Sequence, residues 1–156
     1  MSRLLNILPI LGIILFLSGC ESNTIYHSYL PIQGQEWHKN DSAVFRIGIP
    51  TEHPTRLRLY VDLRVTRQYP YQELYLTVTH NLQDTLFLQT DTLMIAITNA
   101  KGHYKGKGWE SLYQYELPCG VYTCANEGQR TIKTAHCMSD ETLKGVYNIG
   151  IRLARE

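Results

Sequence analysis

The sequence predicts an all-β protein, an antiparallel two-sheet β-sandwich of jelly-roll or immunoglobulin-like topology, folded from residues 41–156. Two observations carry this. Apolar and polar residues alternate over run after run beyond Asn40, the period of strands with one buried face. No convincing amphipathic helix interrupts them, and the links between runs are short and rich in Gly, Pro, Asn and Asp. Strands that each bury one face pack most simply as two sheets. One sequence leaves the strand order open.

The runs follow in order. Ala43, Phe45, Ile47 and Ile49 alternate with Val44, Arg46 and Gly48 until Pro50 stops the strand. Leu57, Leu59, Val61, Leu63 and Val65 share one face, with Arg58, Tyr60, Asp62, Arg64 and Thr66 on a wet one. After Tyr69-Pro70 the alternation resumes at Leu74, Leu76 and Val78. Turn residues at Asn81–Asp84 precede a short strand at Thr85–Gln89. Thr92–Thr98 is more continuously apolar and is expected to be covered on both faces. Asn99–Gly108 is irregular, and Ser111–Leu117 is a strand ended by Pro118. Arg130–Cys137 alternates after a turn at Asn126-Glu127-Gly128. Gly145–Leu153 closes the chain with Tyr147, Ile149, Ile151 and Leu153 as its apolar face.

Ahead of the domain stands a short segment with Arg3 followed by an apolar run from Leu4 to Leu17. A bilayer span needs about 20 such residues, and Pro9 and Gly12 weaken a permanent helix further. One positive charge in front and small residues behind fit a secretory signal. Leu17-Ser18-Gly19-Cys20 resembles the bacterial lipobox, which makes residues 1–19 a lipoprotein signal peptide and Cys20 the lipidation site. In such sites the thiol attacks a diacylglycerol donor, the bond before cysteine is cut, and the new amine is acylated, commonly with palmitate. The rival is an ordinary secretory signal in which Cys20 is incidental. Residues 20–40 then read as lipidated cysteine and tether, with Trp37 packed on the domain's edge. No second hydrophobic anchor is expected in the mature chain, and Glu21-Ser22-Asn23 offers no sorting signal.

The chain holds 15 Lys and Arg against 14 Asp and Glu, a formal charge of +1 that falls to zero when Arg3 leaves with the signal. A neutral domain with interspersed charges has no electrostatic case for nucleic acid. Lys101, Lys105 and Lys107 are a small basic cluster, read as a solvated loop.

Lipidation of Cys20 leaves Cys119, Cys124 and Cys137. Three thiols in an oxidising compartment allow one disulfide and one left over. Cys119 and Cys124 could close a small loop across a turn, or either could pair with Cys137. A zinc site from these three and His136 lacks paired C-x-x-C spacing, and adjacent strand residues His136 and Cys137 point to opposite faces. No metal and no cofactor are expected.

Catalytic motifs are missing too. There is no G-x-S-x-G elbow, no H-E-x-x-H helix, and Gly102–Gly108 lacks the Ser or Thr that follows Gly-Lys in a phosphate loop. His80 and His136 fall on strands and read as structural. Asp84 and Asp91 read as turn chemistry. No catalytic residue is assigned. Lys105, Gly106, Gly108 and Trp109 form the candidate docking or ligand loop. Trp109, Tyr104 and Tyr113 could stack on sugar rings. The favoured reading has Trp109 closing the core instead.

Four stretches, taken together, resemble the gliding-motility lipoproteins of the GldH type from Bacteroidetes. They are the lipobox with Tyr26, Tyr29 and Trp37; Leu59–Leu76 with Tyr69-Pro70-Tyr71 and Glu73-Leu74-Tyr75-Leu76; and Asp91-Thr92-Leu93 through Asn99 and Gly102 to Lys105–Trp109. The fourth runs from Gly128 to Met138, then through Leu143–Val146 to Gly150–Leu153. The resemblance implies a non-enzymatic accessory or scaffold subunit of the gliding machinery and its linked protein secretion system, with envelope lipoproteins as partners. It implies a lipid-anchored place in the cell envelope, the periplasmic face of the outer membrane being expected. Relatives also occur in bacteria that do not glide, and the three mature-chain cysteines depart from the pattern. The alternative is a carbohydrate- or peptidoglycan-binding envelope lipoprotein.

Overall fold

The computed structural model describes residues 23–50 and 53–156; the signal peptide 1–19 and Cys20 lie outside the described residues. Eleven strands appear among them: β1 Thr24–Pro31, β2 Glu36–His38, β3 Ala43–Ile49, β4 Thr55–Thr66, β5 Glu73–His80, β6 Gln89–Ala96, β7 Lys107–Trp109, β8 Leu112–Cys124, β9 Gly128–His136, β10 Thr142–Lys144 and β11 Val146–Arg155. One sheet has the order β1-β11-β4-β8-β7, the other β3-β9-β5-β6, and β2 with β10 makes a small third ladder.

All ladders are antiparallel, and the eight long strands pair from the outside in: β1 with β11, β3 with β9, β4 with β8, β5 with β6. That is one long hairpin rolled over itself, the jelly-roll arrangement, with alternate pairs falling in opposite sheets. Of the two topologies the sequence allowed, the chain adopts this one.

The core lies between the sheets. Leu57, Leu59, Val61, Leu63 and Val65 of β4 are fully buried and meet Phe45, Ile47, Leu74, Leu76, Val78 and Ile132 from the other sheet. The alternation read from the sequence positions these residues because successive strand side chains point to opposite faces.

Six expectations need correction. The stretch expected to be tether, up to residue 40, is folded from Thr24 onward: β1 runs along β11, a 3-10 turn spans Gln33–Gln35, and β2 pairs with β10. Trp37 is therefore core, 1% exposed, with its indole N–H donating to the Asp41 carbonyl at 2.9 Å. Thr85–Gln89 is no strand. The Asp84 carboxylate accepts the Leu86 N–H at 2.8 Å, a local turn that competes with ladder formation, and pairing restarts only at Gln89. Thr92–Thr98 is not sandwiched either, since β6 is an edge strand that buries Ile95 and leaves Met94 exposed.

Pro118 does not end its strand. β8 passes through it, and the register shifts between Leu59 and Tyr60, so that Cys119 is an extra residue opposite β4. A bulge tolerates a residue without an N–H. A second bulge, between Val146 and Asn148, turns Tyr147 away from the core, so only Ile149, Ile151 and Leu153 of the expected face are buried.

The two ends of the sandwich differ. One gathers Thr24, the start of β4, the end of β11 and the β5–β6 loop. The other carries the β2–β10 ladder and the β7–β8 hairpin. Gly145 fixes this second end. Its φ is +80°, its carbonyl accepts the Thr66 N–H at 2.8 Å, and a Cβ there would lie 2.3 Å from the Tyr69 nitrogen.

Candidate functional site

On the outer face of the five-stranded sheet the expected wet surface is an ordered polar and aromatic layer. Asp62 is fully buried there, with His27 Nε2 2.7 Å from its Oδ2. Gly150 makes room, since a Cβ at that position would sit 2.7 Å from the Tyr29 ring. The Arg64 guanidinium lies 4.1 Å from the centre of the Tyr29 ring, and its Nε donates to Gln114 Oε1 at 3.0 Å. Arg152 stacks on Tyr60 at 3.7 Å and pairs with Glu116 at 2.8 Å. Stacked, forked guanidinium groups hold this layer in one geometry.

At the end bearing the β7–β8 hairpin the layer opens into a groove of about 560 Å³ lined by Arg64, Lys107, Trp109, Glu110, Leu112, Gln114 and Tyr147. Trp109 is 81% exposed, which overturns the expectation that it closes the core. The reason is local. Trp109 pairs with Leu112, leaving a two-residue hairpin with Glu110 at φ 54°, and the three-residue strand that carries it is the outermost of its sheet. Tyr104 and Tyr113 stack on each other at 3.7 Å, so each has one face occupied.

The candidate loop thus divides by role. Gly106 is structural: a Cβ would meet the Gln114 carbonyl at 2.6 Å and the Tyr115 ring at 2.7 Å. Burial pushes that tyrosine hydroxyl up to about 12, and it donates to the Ile97 carbonyl at 2.8 Å. Lys105, Lys107, Gly108 and Trp109 are exposed. Sequence reasoning missed Arg64 and Tyr147 as their neighbours, because the bulge that turns Tyr147 outward leaves no sequence signal.

Cys119, Cys124 and Cys137 are unpaired thiols. Cys119 and Cys124 lie on one continuous strand, so the turn expected between them does not exist. Five strand steps separate them by roughly 16 Å, against the 4.4–6.8 Å span of a disulfide. Among the described residues no three His, Cys, Asp or Glu side chains gather as a metal would need. His136 Nε2 instead lies 3.0 Å from the Trp37 carbonyl.

One cluster of chemistry-bearing groups was not foreseen as a unit. His80 Nε2 lies 3.1 Å from Asp91 Oδ2, the Tyr122 hydroxyl donates to the same oxygen at 2.7 Å, and Cys119 Sγ lies 3.5 Å from that hydroxyl. Burial pushes the Cys119 thiol up, which disfavours the nucleophilic thiolate. Burial also opposes the Asp91 charge, but hydrogen bonds from Tyr122, Gln89 and His80 outweigh it and hold the carboxyl below its usual value. The cluster ties β8 of one sheet to β5 and β6 of the other.

Burial holds both His80 and His136 below the ordinary imidazole value. The unfolded chain therefore takes up protons that the folded chain refuses once pH falls below about 6.5. Stability contributed by the neutral rings is present above that value and declines as pH falls through the lowered folded values. The slope approaches 1.4 kcal/mol per pH unit per histidine. Urea titrations from pH 7.5 to 5 should show this decline, and His80→Gln should flatten it. A pH-independent midpoint would refute it.

Fold and site define a class: a jelly-roll sandwich with an ordered polar and aromatic layer on one sheet, in which Asp62 Oδ1 has no partner among the described residues, and an open groove at one end lined by Arg64, Lys107, Trp109 and Glu110. The GldH lipoprotein family matches residues 24–153, and the chain belongs to that family. It is similar to the gliding motility lipoprotein GldH of Flavobacterium johnsoniae, at 24% identity over 158 residues, covering 97% of this chain and 96% of the relative. A solved structure of infectious bursal disease virus, Gx strain, overlaps 86% of this chain and 31% of its own at 14% identity and a TM-score of 0.29. The chain thus spans under a third of that protein, and a likeness of that degree carries no argument.

Proposed function

We propose that the protein is a lipid-anchored, non-enzymatic accessory subunit of the gliding machinery and its linked secretion system. Cys20 holds it to the periplasmic face of the outer membrane, and the Trp109 groove docks a neighbouring envelope protein. The observation that carries the docking reading is Trp109 itself: a large aromatic, exposed beside Arg64 and Lys107, with no packing duty. Tryptophan and arginine dominate binding energy at protein interfaces. The family match across 24–153 supplies the biological setting.

Trp109→Ala in the full chain separates docking from stability. The melting temperature should stay within about 2 °C, as for surface changes near ±0.5 kcal/mol. Recovery of crosslinked envelope partners, and surface movement in a gliding host, should fall at least tenfold, as loss of an interface hot spot of about 2 kcal/mol would give. Unaltered partner recovery would reject the groove as the docking surface. A sugar-binding reading draws on the same free indole face. Saturable muropeptide binding by the parent, lost in Trp109→Ala, would replace the docking role with that one.

A further inference from the structure

The hairpin between β5 and β6 ends in Leu86-Phe87-Leu88, exposed by 84%, 73% and 63%. Three consecutive large apolar side chains facing solvent need an occupant. The loop is built to present them. Leu82 is fully buried beneath it, the Thr131 N–H donates to Asn81 Oδ1 at 2.7 Å, and Asp84 caps the Leu86 N–H at 2.8 Å.

Its position names the occupant. The loop sits at the end of the sandwich where the chain enters. Tyr122 of β8 pairs with Leu57, which pairs with Arg155, and the Tyr122 hydroxyl reaches Asp91 at the start of β6. Thr24 pairs with Ala154 at the same level, and the Asn23 carbonyl accepts the Arg155 N–H at 2.8 Å. Cys20 is three residues before Asn23, a reach of about 10 Å. An acylated Cys20 therefore keeps this end at the headgroups, and the apolar tip, carried by the other sheet, lies about 15–20 Å across the end of the sandwich from the entry strand.

We propose that Leu86, Phe87 and Leu88 insert into the interface of the membrane that holds Cys20, giving the domain a second point of contact. This rests on the anchoring reading above. Apolar side chains of this kind bury among headgroups and upper acyl chains. Two contacts at opposite corners of one end fix the tilt of the domain. They set the long axis of β4 away from the bilayer and hold the Trp109 groove, at the level of Thr66 and Leu112, roughly 35 Å out.

The test uses the acylated full chain purified from the envelope and reconstituted in phosphatidylethanolamine–phosphatidylglycerol vesicles carrying bromine on the upper acyl chain. Phe87→Trp, a change at an exposed site that should leave melting unaltered, reports on the tip. Its added emission should be quenched at least twofold, while the parent's buried Trp37 and distant Trp109 are unaffected. No added quenching in vesicle-bound, acylated protein overturns the insertion and leaves the anchor standing. Equal quenching in the parent overturns the upright orientation. Protein that carries no acyl chain and does not bind vesicles overturns the anchor, and the insertion with it. Protection of the tip only when envelope proteins are added assigns it to a protein partner and likewise overturns the proposal.

Discussion

Leu59→Asp or Val61→Asp should leave no folded domain at 25 °C, whereas Arg58→Asp and Tyr60→Asp should fold. Leu59 and Val61 are fully buried in β4, at the centre of the five-stranded sheet and facing the opposite one. Either substitution removes core packing worth about 2–5 kcal/mol and buries a carboxylate that must stay unpaired or protonate, at several kcal/mol more. The sum reaches the roughly 5–15 kcal/mol that holds a whole domain together. The neighbouring parity behaves differently. Arg58 meets Glu156 in a partly exposed ion pair, and Tyr60 lies under the Arg152 guanidinium. Losing such contacts costs about 1–2 kcal/mol. Far-UV circular dichroism and urea midpoints on the four variants decide the matter. Equal damage at both parities would contradict a strand with one core face.

Asp62 marks the boundary of that simple rule. It shares parity with Arg58 and Tyr60 yet is fully buried, because β1 lays His27 and Tyr29 over the sheet's outer face. Nothing in the β4 sequence separates a solvated aspartate from a covered one; the difference comes from a strand some thirty residues away. The same limit explains β1. Its alternation is weak, and most of its residues are only partly buried, as suits an edge strand read in isolation as a linker. Strands β3, β4, β5, β9 and most of β11 were legible because each, the edge strand β3 included, buries a full face against the core. Pro118 and Tyr147 misled because bulges shift the period by one, and a bulge has no fixed composition.

The candidate site was legible in the same partial way. Residue type and spacing singled out Lys105–Trp109, but hydrophobicity argued Trp109 into the core. The competing fact, a two-residue hairpin at a sheet edge, is visible only in three dimensions. The His80–Asp91–Tyr122 cluster joins residues 11 and 31 positions apart, from strands in both sheets. Sequence offers its members separately and no reason to group them.

Cys20→Ala should release the protein from the membrane and abolish its contribution to surface movement, even with the apolar tip intact. The reasoning is one of magnitudes. Burial of an acyl chain contributes about 0.8 kcal/mol per methylene, so two or three chains hold a protein far beyond what a few loop side chains can. Leu86, Phe87 and Leu88 reach only the interface, where each gains part of the roughly 1.5–3 kcal/mol of full burial. The tip orients and the lipid retains. Loss of retention also removes the raised effective concentration at which an anchored subunit meets its partners. The unlipidated chain should therefore be unprocessed or misplaced, lose acyl labelling, and fail to restore gliding to a deletion strain. Trp109→Ala, by contrast, should remain anchored and fail only at partner recovery. Normal acyl labelling, carbonate-resistant membrane association and full motility in the Cys20→Ala strain would together show that the lipobox is not the anchor.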